Sequence, residues 1–258
     1  KLPLLVDMRD LWSHWGSDPH PSYIHFLLAK HLERKVFKDA SLVFCVTPQL
    51  ASIFRKTHPH INEQKFKVLT NGFDMELETI KNKQEVKKDK FIIGYTGSFY
   101  YTPTLISPLK GIGKINRITR ALHYSPSKED WLYRSPYFFL KAISLLLQQE
   151  PEISNYVQFA YIGNEPNWLK EMVGEFGLQN IYYSYGFRTA KETKDLQETF
   201  DAFLATSEKV KDGEHYCLPS KLFDYVYKRK PIVGFVTEGI QKEFLVRSGM
   251  GVICNPDN

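Results

Sequence analysis

Two hydrophobic patterns alternate along the chain. Short, nearly continuous apolar runs such as LPLLVDM (2–8) and SLVFCVT (41–47) end in charged or hydroxyl residues. Runs of this length predict strands buried on both faces of a parallel sheet. Between them lie longer segments with one apolar face. YIHFLLAKHLERKVFKDA (23–40) and PQLASIFRKTH (48–58) predict helices, and the second carries proline at its first position. Proline suits that position because its missing N–H would find no partner there. KFKVLTNGFD (65–74) predicts a strand closed by an Asn-Gly turn.

A polar, lysine-rich stretch, MELETIKNKQEVKKDK (75–90), then interrupts the rhythm and predicts a connection between domains. Beyond it the alternation restarts. Strands are predicted at 91–99, 156–163, 181–186, 202–206, 231–235 and 251–254. Helices are predicted at 135–149, 166–176, 189–199, 219–229 and 238–247. Strands alternating with helices of this length are βαβ units, so the fold class is α/β with two doubly wound, Rossmann-like parallel sheets. Residues 1–75 belong to the first domain, 76–90 to the linker and 91–258 to the second. Residues 101–134 have no clear period and form an insert or lid. The GIGK within them lacks the spacing and the following Ser or Thr of a phosphate loop.

Composition narrows the function. Of 258 residues 43% are hydrophobic, enough for a sizeable core, and the net charge of +5 fits phosphate or nucleotide ligands better than genomic DNA. No nucleic-acid partner is expected. Cys45, Cys217 and Cys254 are widely spaced and form no zinc pattern, which favours a reducing compartment. No apolar run reaches the roughly 18 residues that span a bilayer. The expected location is cytoplasmic, and His31, Arg34, Lys35 and Lys38 on the first helix form a basic stripe suited to a solvated face or an anionic membrane surface.

The chemistry concentrates in PSKLFDYVYKRKPIVG (219–234). Pro219 opens a helix, so the amides of Ser220, Lys221 and Leu222 are expected to be free donors. Lys221 is unfavourable at the positive end of a helix unless an anion sits beside it, and a phosphate would resolve the conflict. Asp224, one turn on, shares its face and is placed to hold a ribose diol. The competing reading pairs Asp224 with Lys228 as a surface ion pair. Gly97 and Ser98 end a predicted strand where a backbone without Cβ can approach a diphosphate; a plain turn is the alternative. Arg9 and Asp10 lie at another strand end, either as ligands or as structural residues paired with each other or with loops. Phe187 and Arg188 follow Gly186 at a third. Lys110 and Lys114 in the insert are candidate phosphate contacts or solvated side chains.

PSKLFDYVYKRKPIVG resembles the nucleotide-sugar motif of the retaining, family-4 type glycosyltransferases of GT-B fold. VDMRDLW (6–12) resembles the D-x-R-D-x-W of one branch, and ASLVFCVTPQL, VLTNGFD, IIGYTGSFY, FAYIGNE and YYSYGFRT are similar to successive parts of the same fold. The resemblance covers essentially the whole chain, as a fragment that starts midway through the acceptor domain and stops before the closing helices. It implies a ribose-gripping acid at Asp224, where the family has Glu, and a base-contacting loop at Phe187 and Arg188. The family's earlier acid falls on Tyr216, with Glu214 out of register, and its histidine falls on Arg9.

The resemblance further implies sugar transfer from a nucleotide-diphosphate donor to a glycan or lipid-linked acceptor, with retention and without a metal or other cofactor. No D-x-D sequence occurs to suggest a Mg²⁺-bridged diphosphate. Lys221, Arg9 and Asp10 are the catalytic candidates. Gly97, Ser98, Phe187, Arg188, Ser220, Lys221, Leu222 and Asp224 are the donor-binding ones. A nucleotide-sugar epimerase and a non-catalytic nucleotide-sugar-binding module fit the same scaffold.

Overall fold

The structure, a computed structural model, describes residues 2–16, 19–73, 89–101, 103, 122–211, 213 and 215–258. The first unit is a three-stranded parallel sheet, β1 (Leu5–Met8), β2 (Leu42–Cys45) and β3 (Phe66–Val68), in that order. Helices α1 (Tyr23–Asp39) and α2 (Pro48–Thr57) connect them. Thr47 starts α2 by accepting the Leu50 amide on its side chain, with Pro48 at the first helical position. Phe37, Val43, Leu50, Phe54 and Phe66 close the core between helices and sheet.

The expectation of a buried first strand fails. β1 is the sheet edge, and Leu2, Leu4 and Leu5 are exposed. An apolar run reports the burial a strand is built for, not which neighbours cover it. The third strand is also shorter than its apolar run, ending at Val68.

The second unit is a six-stranded parallel sheet. In chain order its strands are β4 (Phe91–Thr96), β6 (Val157–Ile162), β7 (Tyr182–Gly186), β8 (Ala202–Thr206), β10 (Ile232–Phe235) and β11 (Gly251–Cys254). In space they run β11-β10-β8-β4-β6-β7. The chain winds outward from β4 through β6 to β7, then returns to β8 on the other side of β4 and winds out to β11. The order therefore reverses between β4 and β8, and ligand crevices form outside the carboxyl ends of strands at such a reversal.

Among the described residues five helices cover the two faces: α3 (Tyr137–Gln149), α4 (Asn167–Glu175), α5 (Ala190–Thr199), α6 (Lys221–Tyr227) and α7 (Ile240–Ser248). Thr189 and Glu192 form a reciprocal capping box at the start of α5. One face packs around Phe139, Phe159, Tyr161 and Leu169, the other around Phe200, Phe203, Tyr225 and Leu245. Gly94 in β4 is required by this packing, because a Cβ there would stand 2.0 Å from the Phe200 ring.

A short antiparallel ladder, β5 (Glu129–Asp130) with β9 (Lys209–Val210), lies between the two sheets. Tyr216 is buried in the first unit's core, with Val210 and Cys217 packed alongside. The Thr47 hydroxyl donates to the Tyr216 carbonyl at 2.8 Å.

Candidate donor-diphosphate site

The crevice at the β4–β8 reversal gathers its chemistry from four separate segments. Gly97 directly follows β4 and has φ +91°, a left-handed conformation that glycine adopts without penalty. A Cβ at Gly97 would lie 3.4 Å from Lys221 Nζ, so the ammonium reaches over the glycine loop. Lys221 opens α6, donates to Tyr95 Oη at 2.7 Å and sits 4.0 Å from the centre of the Tyr95 ring. Tyr95 Oη donates in turn to the Ser98 carbonyl at 2.9 Å. Lys221, Tyr95 and Ser98 thus form one chain of hydrogen bonds under the loop. Burial lowers the Lys221 pKa to about 7, and the nearby Arg134 charge acts in the same direction. Burial keeps the Tyr95 phenol neutral.

Arg134 is the residue that sequence reasoning missed. It ends the 3-10 turn Trp131–Arg134 just before α3 and is 7% exposed. Its Nη1 donates to Glu208 Oε2 at 2.7 Å, and the Thr206 hydroxyl donates to its carbonyl at 2.7 Å. Its guanidinium lies between the rings of Tyr100 and Trp131, 5.1 and 5.4 Å from their centres. Glu208, two residues beyond β8, also has Oε1 2.9 Å from His215 Nε2. Burial alone would raise the Glu208 pKa, but the charges of His215 and Arg134 outweigh it and hold the group at about 2. Two basic side chains therefore come together: Lys221 over the glycine loop, and Arg134 close enough for its charge to act on Lys221, anchored by one buried carboxylate.

The other candidates distribute as follows. Asp10 comes close to Arg134; burial raises its pKa and the arginine charge opposes that rise. Arg9 pairs with Asp7 at 2.9 Å and donates to Asn71 in the loop after β3 at 2.7 Å, the loop contact that the structural alternative allowed, and not a pair with Asp10. Asp224 lies one turn from Lys221, and Lys228 is engaged by Glu198 on α5 instead of Asp224. The helix amides need correction. The Leu222 N–H donates to Pro219 O at 3.1 Å and the Phe223 N–H to Ser220 O at 3.0 Å, so Leu222 is not a free donor. With α6 only seven residues long, the positive charge at the site comes from side chains. Phe187 is 70% exposed at the end of β7, and Arg188 donates to the Phe187 carbonyl. Lys110, Lys114, Glu214 and the GIGK segment lie outside the described residues.

Tyr216 buries its ring and donates from Oη to Glu129 Oε1 at 3.2 Å. A carboxyl from β5 thus reaches the position beside residue 216. Burial raises its pKa, and the Glu208 charge adds to the rise. The one local signal for the missed groups was the placement of Glu208 just past a strand end, the position where open parallel sheets hold ligands.

No protein-family model and no curated protein sequence matches the chain. Solved structures do share its fold. The Anabaena protein HepE, solved in complex with UDP and glucose, superposes with a TM-score of 0.55 at 16% identity over 95% of this chain and 61% of its own. WaaG, a glycosyltransferase involved in lipopolysaccharide biosynthesis, gives 0.58 at 12% over 90% and 53%. Sucrose-phosphate synthase from Thermosynechococcus elongatus gives 0.60 at 11% over 98% and 55%. The chain spans between half and two thirds of the length of each. Its fold is α/β, with two Rossmann-like parallel sheets arranged as in these GT-B structures.

Proposed function

We propose that the chain binds a nucleotide-diphosphate sugar and transfers the sugar to a glycan or lipid-linked acceptor. The observation that carries this reading is Lys221, held over Gly97 where the sheet order reverses, with the charge of Arg134 acting on it from nearby. The bonds that glycosyl transfer rearranges are the anomeric C–O bond to the diphosphate, which breaks, and a new C–O bond to the acceptor hydroxyl, which forms. Negative charge builds on the departing diphosphate, and prearranged cations stabilise it most at that moment. Arg134 is permanently charged and fixed by Glu208. Lys221 gains its full charge as the anion arrives. Together they supply the charge that a bridging cation would otherwise provide, which makes the reaction metal-independent in this reading.

Asp224 holds the ribose diol, one turn along the helix from Lys221. Exposed Phe187 stacks on the base, with Arg188 beside it. Gly97 and Ser98 give the diphosphate a close approach to the backbone. Asp10 reaches the Arg134 side of the crevice from the first unit, placed to orient the acceptor hydroxyl and take its proton. Retention follows if that hydroxyl attacks from the face the diphosphate leaves. The same reading puts the protein in the cytoplasm at the inner face of a membrane. α1 supports it by exposing Ile24, Leu27 and Leu28 on a helix that also carries His31, Arg34, Lys35 and Lys38. No helix among the described residues is long and apolar enough to cross a membrane.

Calorimetric titration with UDP, GDP and ADP tests the site. One nucleotide is expected to bind, with Lys221→Met and Arg134→Met each weakening it by about tenfold or more and Asp224→Ala by less. Equal affinity of all variants, each folded by circular dichroism, would remove the diphosphate from this crevice. Donor turnover then separates the activities: transfer or hydrolysis supports a transferase, epimer formation an epimerase, and saturable binding without turnover a binding module.

A further inference from the structure

Between the two sheets lie two adjoining cavities of about 710 and 630 Å³ that share Ser127, Lys128 and Lys211. The larger also receives Lys56 from α2, with Leu11 and Tyr216 in its wall. Leu11 and Tyr216 are the chain neighbours of Asp10 and Cys217, which both stand near Arg134. No acid is among the described residues that line the larger cavity, while Glu129 and Asp130 line the smaller one.

Several lysines elsewhere in the chain are paired or held. Lys209 is paired with Asp257, Lys228 with Glu198 and Lys242 with Glu238, while Lys65 and Lys230 donate to backbone carbonyls. The side chains of Lys56, Lys128 and Lys211 make no hydrogen bond or ion pair with any described residue. Lys128 and Lys211 are moreover set against each other. The Lys211 N–H donates to the Lys128 carbonyl at 2.8 Å, continuing the β5–β9 ladder by one step beyond Glu129 and Val210. Like charges opposite one another on a ladder are destabilising, and an anion between them removes the penalty. The remaining lining is hydrogen-bonding. Gln49 Oε1 is buried without a donor, and the Ser52 and Ser127 side chains line the same wall. A buried acceptor left unsatisfied is costly, and a ligand hydroxyl would satisfy it.

We propose that this cavity takes an acidic saccharide, its carboxylate or phosphate held between Lys128 and Lys211 with Lys56 opposite, and a ring hydroxyl on Gln49 Oε1. Resting on the transferase reading above, this saccharide is the acceptor. The volume suits more than a single sugar ring, within the roughly 300–1,000 Å³ range of ligand sites.

The test is calorimetry of the protein with three saccharides of similar size: digalacturonic acid, trehalose 6-phosphate and neutral trehalose. At least one acidic saccharide is expected to bind about tenfold or more tightly than trehalose, and which one identifies the anion. The double variant Lys128→Glu/Lys211→Glu is expected to lose that preference, and Lys56→Glu, placed in the first unit, to weaken it independently. Should the double variant fail to fold, Lys56→Glu and Lys128→Gln carry the test. UDP affinity is expected to stay within about twofold in all of them, since these lysines stand apart from the donor crevice. Equal binding of trehalose and the acidic saccharides, no binding of any of the three, or a preference unmoved by charge reversal overturns the proposal. Charge-dependent saccharide binding without any UDP binding would keep the cavity and remove the transferase reading instead.

Discussion

Lys221 decides the site because its environment leaves it between two protonation states. Burial beside Arg134 places its pKa at about 7, below the roughly 10.4 of an unfolded lysine. Between those values the unfolded chain holds a proton that the folded chain does not, so stability rises with pH from about 7 towards 10, and the cost of the buried charge is fully present below 7. Urea midpoints across that window should rise in the native protein, and Lys221→Met should flatten the slope. A bound diphosphate reverses the balance by favouring the ammonium. UDP binding in this reading takes up a proton, and its affinity falls as pH rises from about 7 to 8.5. Calorimetry in two buffers of different ionisation enthalpy reads that uptake directly. Pure, buffer-independent heats and a flat affinity would place the phosphate away from Lys221. Gly97 belongs to the same chemistry, since any side chain there would take a strained φ in contact with Nζ.

At the scale of elements, α1 shows how one polar residue substitutes for missing core. It buries only Phe26, Glu33 and Phe37. Glu33, fully buried, accepts the Ser13 N–H at 3.0 Å and its hydroxyl at 2.7 Å, and His58 Nε2 stands 2.6 Å from the same carboxylate. One side chain thereby ties α1 to the loop after β1, which carries Asp10, and to the end of α2. Burial would raise the Glu33 pKa, but the hydrogen bonds from His58 and Ser13 outweigh it and hold the group below its ordinary value. That contribution is present above the unfolded carboxylate pKa and is lost as pH falls through the lowered folded one. Glu33→Ala should cost about 3–5 kcal/mol in denaturant melts at neutral pH, as breaking one half of a buried pair does. A cost near zero would mean that the loop holds itself. These connections were invisible in the sequence, whereas the helices were not. Periodicity located α1, α2 and the helices and strands of the second unit to within a few residues, and Pro48 marked a helix start. β5 and β9 escaped because two-residue strands have no period. The same physics sorted the site. Lys221, Asp224 and Gly97 sit in local motifs that can be read along the chain. Arg134 and Glu208 meet across 74 positions, and only the fold brings them together.

Over the whole molecule, the question is how tightly the two sheets are joined. Domains that meet through small polar interfaces move relative to one another by default. Here the segment from Lys209 to Cys217 leaves the second sheet, pairs with β5, inserts Tyr216 into the first unit's core and returns to α6. Its flanks hold His215 against Glu208 and place Cys217 beside Arg134. The junction therefore adjoins the buried Arg134–Glu208 pair. Thr47 fastens it: its hydroxyl accepts the Leu50 amide at the start of α2 and donates to the Tyr216 carbonyl. A second link runs from Gln49 Nε2 to Glu243 on α7 at 3.1 Å. Removing the Thr47 hydroxyl should act in both units. Thr47→Ala loses a helix cap worth about 1–2 kcal/mol and leaves a buried carbonyl unpaired. Its thermal midpoint should fall, and its UDP affinity should fall as well, although residue 47 lies in the other unit. Thr47→Ser restores both hydrogen bonds and should recover both readouts. A lowered midpoint with unchanged UDP affinity would show that the junction stabilises the first unit alone. Loss of both, rescued by serine, would show that acceptor-side and donor-side geometry are set by the same short segment.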